Sequence, residues 1–563
     1  MVPLKKKETR CTFCSLGCRV GFSQTPHGTV APDHPTDVGE LRRGVCNRGS
    51  MTAELLGHVL RRDAAKVADG DRPRDVPLDK AITRLADAAK SADTVLLIDG
   101  NLTCEDIAAG LALGAASKGK VKVSVYLPNE DEAVLDGLAA SKTKLLTPEA
   151  LAECDAVLIV GDAFATHPVI SRPVHHLRKE KRRLPLVVID SVPGKTSIFA
   201  THPLLVKPGT ESRVLAAIAG EVGVKDVGEL KLTVKTAASE AGVPEDALSA
   251  AAAALAAAKK LGVILRGEIG KAANWDQVAL LAGLIASEKA GGVTACLTYG
   301  NAVGAYRLAR AAGTTFEKAA ETTIVLGTDV VCGPSKRESA ALLEGVKTLG
   351  AAARLPTPTL GAADIVLPLA FNFETGGTTV NGSGEVITVD AVADPPGHAA
   401  SAGELVMRLA KAMGISGVER KLDPGILERI PEVDARTMAG KGHPEVQTAP
   451  QGAFLAVTQS DAVNFHTGSV SGQCAWPQYM APEPVAAINA DDAASMDVDD
   501  GDAVKLTSDE GEGVATAAVV KAQAAGVVAV SSAFGRMRGL FPWDLACGMG
   551  PVTVRIEKAG SET

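Results

Sequence analysis

The chain has 563 residues, of which 46% are hydrophobic, 22% charged and only 3% aromatic, and its net charge is −8. That length exceeds what one hydrophobic core supports and predicts about three or four domains. The negative balance and the scarcity of aromatic stacking platforms argue against nucleic acid or an anionic membrane surface as a partner. No apolar run reaches the ~18 residues of a transmembrane segment, and the start, MVPLKKKETR, has no apolar stretch after its charges. A cytoplasmic protein with reduced thiols is therefore expected.

The first element in chain order is a group of four thiols. Cys11, Cys14, Cys18 and Cys46 stand in RCTFCSLGC and GVCNRG, with gaps of two, three and twenty-seven residues. Three close thiolates and one distant one suit the four corners of a 4Fe-4S cubane. A structural zinc site and disulfides are the competing readings. The three-residue gap and the distant fourth cysteine favour the cluster over zinc, and the absence of a secretory start disfavours disulfides. Gly17 and Gly49 flank ligands, where the backbone must turn or approach sulfur closely. Arg48, two residues after Cys46, puts a cation beside the cluster, where it can raise the potential and contact a redox partner; a solvated surface arginine is the plain alternative.

From Leu78 the pattern alternates. LDKAITRLADAAK and CEDIAAGLALGAASKG have helical periodicity, and TVLLIDG, VKVSVYL, AVLIVGDA and LPLVVIDSV read as short buried strands. The alternation continues through LGVILRGEIG, GGVTACLTYG, TTIVLGTDV and ADIVLPLA, which predicts parallel sheets covered by helices on both faces. Residues 58–422 are too many for one core and predict two doubly wound α/β lobes. Ligands of such sheets sit at the carboxyl ends of strands. The polar residues there are Gly161-Asp162, Asp190-Ser191, Gly327-Thr328-Asp329 and the turn Lys207 to Glu211, although Gly and Asp also end strands that bind nothing. Residues 423–453, with Pro424, Pro431, Pro444 and Pro450, read as a linker. Short strands at about ten-residue spacing after Phe454 predict a β-barrel over 454–563.

Cluster motif, α/β lobes and C-terminal barrel, in that order, resemble the molybdopterin-dependent oxidoreductases, which include formate dehydrogenases, assimilatory nitrate reductases, the B subunit of formylmethanofuran dehydrogenase and the large iron–sulfur subunit of complex I. The resemblance runs nearly end to end. It implies a 4Fe-4S domain over residues 1–57 and a double-psi-like barrel that binds molybdopterin guanine dinucleotide. It implies that Arg48 stands where the family more often has a lysine relaying electrons between cluster and pterin. VVIDSVPGKTSIFATHPLLVKPGTES resembles the family's nucleotide-contacting segment, so Asp190, Gly209, Thr210 and Glu211 are cofactor-binding candidates, with Glu211 replacing an aspartate. Gly327 joins them as a strand-end residue. ADIVLPLAFNFETGGTTVNGSGEV carries over Asp364, Pro368, Glu374, Gly377, Thr378 and Asn381, with Glu385 where the family has an arginine. His466 and Thr467, in TQSDAVNFHTG, match the loop that opens the barrel domain.

Active members of the family hold molybdenum or tungsten through a Cys, selenocysteine, Ser or Asp after the strand that corresponds to VKVSVYL. This chain has Pro128-Asn129-Glu130-Asp131-Glu132 there, with neither Cys nor His. Asp131 is the carboxylate considered for the role, and Cys104 and Cys154 read as ordinary buried residues. DAFATHPVISRPVHHLRKEKRR resembles the formylmethanofuran dehydrogenases and makes His167 and Arg172 candidates for binding a carboxylate. The same stretch also reads as an exposed basic helix able to dock an acidic subunit. Three functions stay open: an iron–sulfur electron-transfer subunit whose metal ligand is lost, an active Mo or W enzyme of formate or formyl-group oxidation, and a non-redox scaffold. The chain has no flavin or nicotinamide fingerprint, so a redox role requires iron–sulfur or flavin partner subunits.

Overall fold

The computed structural model describes residues 5–24, 30–35, 44–69, 72–268, 270–314, 319–331, 343–459, 461–542 and 550–559. Residues 1–4, at the start of MVPLKKKETR, lie outside them. The cysteine segment forms a three-stranded antiparallel sheet, β1 (Lys5–Arg10), β2 (Arg19–Gln24) and β3 (Val30–Pro32), followed by the helix Asn47–Leu56.

Next comes a seven-stranded sheet. β4 (Ala65–Asp69) and β5 (Arg72–Val76) form an antiparallel edge, and β6 (Thr94–Asp99) and β7 (Val121–Tyr126) pair in parallel. The chain then leaves to build a parallel five-stranded sheet from β8 (Ala156–Val160), β9 (Leu186–Asp190), β10 (His202–Leu205), β11 (Leu261–Leu265) and β12 (Gly292–Ala295). It returns with β13 (Thr322–Leu326), β14 (Thr348–Ala353) and β15 (Ile365–Pro368), which complete the first sheet in the order β5-β4-β15-β14-β13-β6-β7. The second lobe is thus an insertion between β7 and β13.

The central strands are buried along their whole length. This follows from sheets covered on both faces, and it is why these strands read as continuous apolar runs. The helices Leu78–Ser91 and Cys104–Ala116 pack with Ala402–Met413 over the first sheet. The helix Trp275–Glu288 of the inserted lobe lies along Asn129–Ser141 of the first. The two can approach because Gly137 has no side chain: a Cβ there would stand 2.1 Å from the Asp276 carbonyl oxygen. A hairpin of β16 (Gly377–Val380) and β17 (Val386–Val389) follows β15. Residues 424–439 carry two short helices whose Leu427, Met438 and Ala439 are buried in the main core.

The C-terminal strands β18 (Phe454–Gln459), β19 (Val485–Asn489), β20 (Ala503–Thr507), β21 (Glu512–Val520), β22 (Val527–Ser531) and β23 (Val552–Lys558) close into a barrel in the order β18-β22-β19-β21-β20-β23. Its interior is filled by small aliphatics with Met537, Leu540 and Phe541. No helix among the described residues is long and apolar enough to cross a membrane.

Within the parallel part of each sheet the strand order reverses once, between β8 and β11 in one and between β6 and β13 in the other. The loops beyond these reversals diverge and leave a crevice at the carboxyl edge. Both crevices face the cysteine loop and the barrel.

Candidate cofactor and electron-transfer site

The cysteine loop is fixed by hydrogen bonds at both ends. Cys11 N donates to Cys18 O at 2.8 Å, and Gly17 takes φ +59°, a conformation that disfavours side chains. A Cβ on Gly17 would stand 2.6 Å from Ile387. Ser15 docks the loop onto the inserted lobe: its Oγ donates to Ala295 O at 3.0 Å and accepts from Leu297 N at 2.8 Å. Asn381 shapes the neighbouring turn by accepting from Ser383 N and Glu385 N, and Gly382 N donates to Ser15 O. Cys11 and Cys14 are buried, Cys18 and Cys46 half-buried, and none of the four is in a disulfide among the described residues. Burial, reinforced by Cys14, Cys18 and Cys46, pushes the Cys11 thiol well up. Four thiolates so close together require positive counter-charge, which suits a cationic iron–sulfur core. No three His, Cys, Asp or Glu side chains among the described residues converge on a single ion. A cubane makes no such demand, because each thiolate binds its own iron.

The first cleft, about 520 Å³, is lined by Cys14 and Arg48 from this module, Glu130 after β7, His167 after β8, Arg266 and Glu268 after β11, and His466 and Arg538 from the barrel segment. Arg48 is buried and donates through Nη2 to Thr166 O, while its Nε has no partner. Arg266 donates to Thr298 Oγ1 at 2.9 Å and lies 3.8 Å from Asp131, and its Nε is unpartnered. Asp131 is used internally, accepting from Thr298 N at 2.8 Å and Tyr299 N at 3.1 Å. Its neighbour Glu130 reaches the cleft, with Oε2 buried and unpartnered. Burial raises both carboxyls, and Arg266 opposes the rise.

His167 lines this cleft, but both its ring nitrogens are engaged, Nε2 with Leu297 O and Nδ1 with Thr166 Oγ1, each at 2.9 Å. Burial, Arg266 and Arg48 hold it neutral. Arg172 is outside the cleft, exposed on the helix Ser171–Glu180 with its guanidinium against Gly44.

Behind the cleft, at the edge of the inserted lobe, Lys271 is buried between Asp190, at 2.9 Å, and Glu268. Gly209, at φ +82°, turns the chain into Thr210 and Glu211, both buried. Glu211 Oε2, Ser191 Oγ and Asn274 Oδ1 are buried without partners. Burial lifts the Glu211 carboxyl to about 8. Asp162 shows the opposite case: Lys195 N, Thr196 N and Thr196 Oγ1 consume its acceptors, so this strand-end aspartate clips a loop.

The second cleft, about 670 Å³, lies at the β6/β13 reversal. Asp99, Asn101, Gly327, Thr328, Arg354, Asn372, four phenylalanines and Tyr299 line it, with His466 and Thr467 from the barrel segment. His466 borders both clefts with φ +51°, a strained value for a residue with a side chain. Glu374 is beneath this cleft rather than in it, paired bidentately with Arg61 at 2.6 and 2.7 Å. Asp364 stands at the opposite, amino end of β15, bracing Leu349 N, and Thr378 N donates to Glu105. Asp364, Glu374, Thr378 and Asn381 therefore hold loops and strands, and none of them lines either cleft.

The residues that sequence reasoning passed over are Glu130, Arg266, Glu268, Lys271, Asp99, Arg354 and Arg538. Four had a readable signal, since Asp99 ends β6 and Arg266, Glu268 and Lys271 follow β11, both strands at the reversals.

The clefts, the buried unpartnered polar atoms around them and the adjoining thiol loop define a scaffold for a large polar redox cofactor. Residues 454–554 match the family described as "Molydopterin dinucleotide binding domain". The F420-dependent formate dehydrogenase subunit alpha of Methanocaldococcus jannaschii is 22% identical over 92% of this chain and 93% of its own length. A nitrate reductase of Klebsiella oxytoca is 24% identical over 40% of this chain, a match that spans 27% of that enzyme. Acetylene hydratase from Pelobacter acetylenicus shares the fold, with a TM-score of 0.76 at 13% identity over 98% of this chain and all of the other. Together these likenesses support a molybdopterin-dependent oxidoreductase family for the chain, with the dinucleotide-binding domain at residues 454–554.

Proposed function

We propose that this protein is an iron–sulfur electron-transfer subunit of a larger cytoplasmic oxidoreductase complex. In this reading Cys11, Cys14, Cys18 and Cys46 hold one 4Fe-4S cluster, and the two clefts hold molybdopterin guanine dinucleotide. The single observation that carries the reading is that Cys14 and Arg48 line the same cleft, so the cysteine loop and the cofactor crevice are contiguous. Arg48, Arg266 and Arg538 offer cationic groups to a pyrophosphate. Glu211 and Ser191 offer the unpartnered acceptors that a purine's N–H groups require. Bound there, the cofactor would supply two-electron chemistry, and Arg48 bridges its cleft and the cluster. Among the described residues no thiol other than Cys14 lines the cleft, which supports a lost metal ligand.

A second reading keeps a catalytic Mo or W for formate or formyl-group oxidation. It is favoured by Glu130, a buried carboxylate in the cleft after β7 whose Oε2 has no partner while Oε1 accepts from Thr298 Oγ1. Here Glu130, and not Asp131, is the candidate ligand.

Anaerobic purification with metal and sulfide analysis tests both. About four irons per chain, a reduced-state EPR signal lost in Cys14→Ser, and acid-released guanine nucleotide are expected. Protein that lacks both iron and acid-labile sulfide would sink the first reading. Stoichiometric Mo or W, with formate-dependent dye reduction abolished in Glu130→Gln, would replace it with the second.

A further inference from the structure

The helix Ser171–Glu180 covers the cysteine loop from outside. Its inward residues Val174 and Leu177 pack in a cluster that Leu16, between Cys14 and Cys18, joins. Arg172 stands against Gly44, two residues before Cys46; a Cβ on that glycine would be 3.1 Å from Nη2. The outer face and the turn after it are basic. Arg172, Lys179, Arg182 and Arg183 are exposed, and none of them forms an ion pair among the described residues. Such a concentration of positive charge is notable in a chain of net charge −8.

An apolar centre stands beside it. Ile198 is 75% exposed and Phe199 38% exposed. His175 packs edge-on to the Phe199 ring at 4.7 Å, and Arg178 donates to Phe199 O at 2.8 Å. An exposed aromatic and aliphatic pair with cations around it is the make-up of a protein interface, with an apolar centre and a charged rim.

We propose that this face docks an acidic electron-carrier protein that exchanges single electrons with the cluster. The inference rests on the cluster reading above. The charge sign selects an acidic partner, and the position sets the distance. A partner on the outer face is separated from the cysteine loop by one helix, about 10–12 Å across. Each encounter moves one electron, so the cluster changes oxidation state by one and the carrier by one in the opposite sense. A second exposed apolar group, Val59, Leu60, Trp476, Tyr479 and Met480, has no such charge to indicate what covers it.

The test uses the holoprotein and a plant-type 2Fe-2S ferredoxin as the acidic probe. Stopped-flow electron exchange is measured across ionic strength for wild type, for Lys179→Glu/Arg182→Glu/Arg183→Glu and for Leu60→Ser/Tyr479→Ser, with a viologen dye as the small-molecule control. The wild-type rate should fall roughly tenfold between low and high salt. The charge-reversed variant should be slower by roughly tenfold at low salt, with its EPR signal and dye rate intact, and Leu60→Ser/Tyr479→Ser should match wild type. An unchanged ferredoxin rate in a cluster-replete charge-reversed variant overturns the docking face and leaves the cluster reading standing. Wild type without a cluster signal overturns both. Co-sedimentation with phosphatidylserine vesicles that the charge reversal abolishes, with no effect on ferredoxin, would make the face a lipid site and also overturn the proposal.

Discussion

The two clefts stand at equivalent places in two parallel sheets, yet they are built from different chemistry. The first gathers buried ionisable groups, among them Arg48, Glu130, His167, Arg266 and Glu268, several with unpartnered atoms. The second is lined mainly by amides, hydroxyls and aromatic rings, and its acidic and basic groups, Asp99, Asp329 and Arg354, are fewer. A topological reversal supplies the crevice in both. The residues that follow the strands decide whether the crevice is electrically tense or simply shaped. The tense cleft is the one that touches Cys14.

Substitutions should expose that contrast. Arg266→Met should have the largest effect, because it strands Glu130 and Asp131 as neighbouring buried carboxyls. A loss of about 3–5 kcal/mol is expected in denaturant titration. A loss below about 1 kcal/mol would mean that the first cleft is no more strained than the second.

Glu211→Gln should act through pH. The carboxyl titrates near 8 in the folded chain, against an ordinary value of 4.5, so the folded state holds its proton more tightly than the unfolded one. Stability from this group is complete below about 4.5 and is lost as pH rises through 8, at about 1.4 kcal/mol per unit of difference. Thermal melts of cofactor-stripped protein should therefore decline between those pH values, and Glu211→Gln should flatten the decline and melt higher at pH 8. An identical slope in both proteins would remove Glu211 from the account.

The second cleft should answer more mildly. Asn372→Ala removes a hydrogen bond to Asn101 O, of 2.8 Å, at a cost of about 1–2 kcal/mol. Phe371→Leu removes the ring beneath Arg61, 4.5 Å from the guanidinium carbon, at about 1 kcal/mol beyond the lost packing. Neither should alter the pH dependence of stability, and a changed pH profile in either would erase the distinction between the clefts.

The parallel strands were legible because burial on both faces demands unbroken apolar runs, as in TVLLID, AVLIV and LVVID. β14 was not, since TLGAAA has only Thr348 among β-branched and aromatic residues and takes its strand state from β13 and β15 on either side. The charged edge strands β4 and β5 carry no such signature either. Within the site, strand-end reasoning put Asp190, Gly209, Thr210 and Glu211 at one sheet edge, where all but the glycine are deeply buried. It did not reveal that Lys271 neutralises Asp190, because those residues come from different strands. Glu130 and Asp131 are adjacent and chemically alike. Which one enters the cleft depends on the phase of the first helical turn, and Asp131 is drawn away by the amides of Thr298 and Tyr299. Arg172 had the right charge but lies on the outside of its helix. His167 reached the cleft with both nitrogens already committed.

The insertion of the second lobe between β7 and β13 also fixes a timetable for synthesis. Thr94 of β6 pairs with Thr322 of β13, so β6 emerges long before the strand that covers its inner edge. At roughly 5–20 residues per second, that edge waits on the order of ten seconds or more while the inserted lobe is made and folds. During this interval β6 and β7 present an apolar, unpaired border at the ribosome. An exposed strand border of this kind invites wrong pairing for a defined interval of translation, and slowing synthesis before residue 322 should lower the yield of folded protein more than slowing it afterwards.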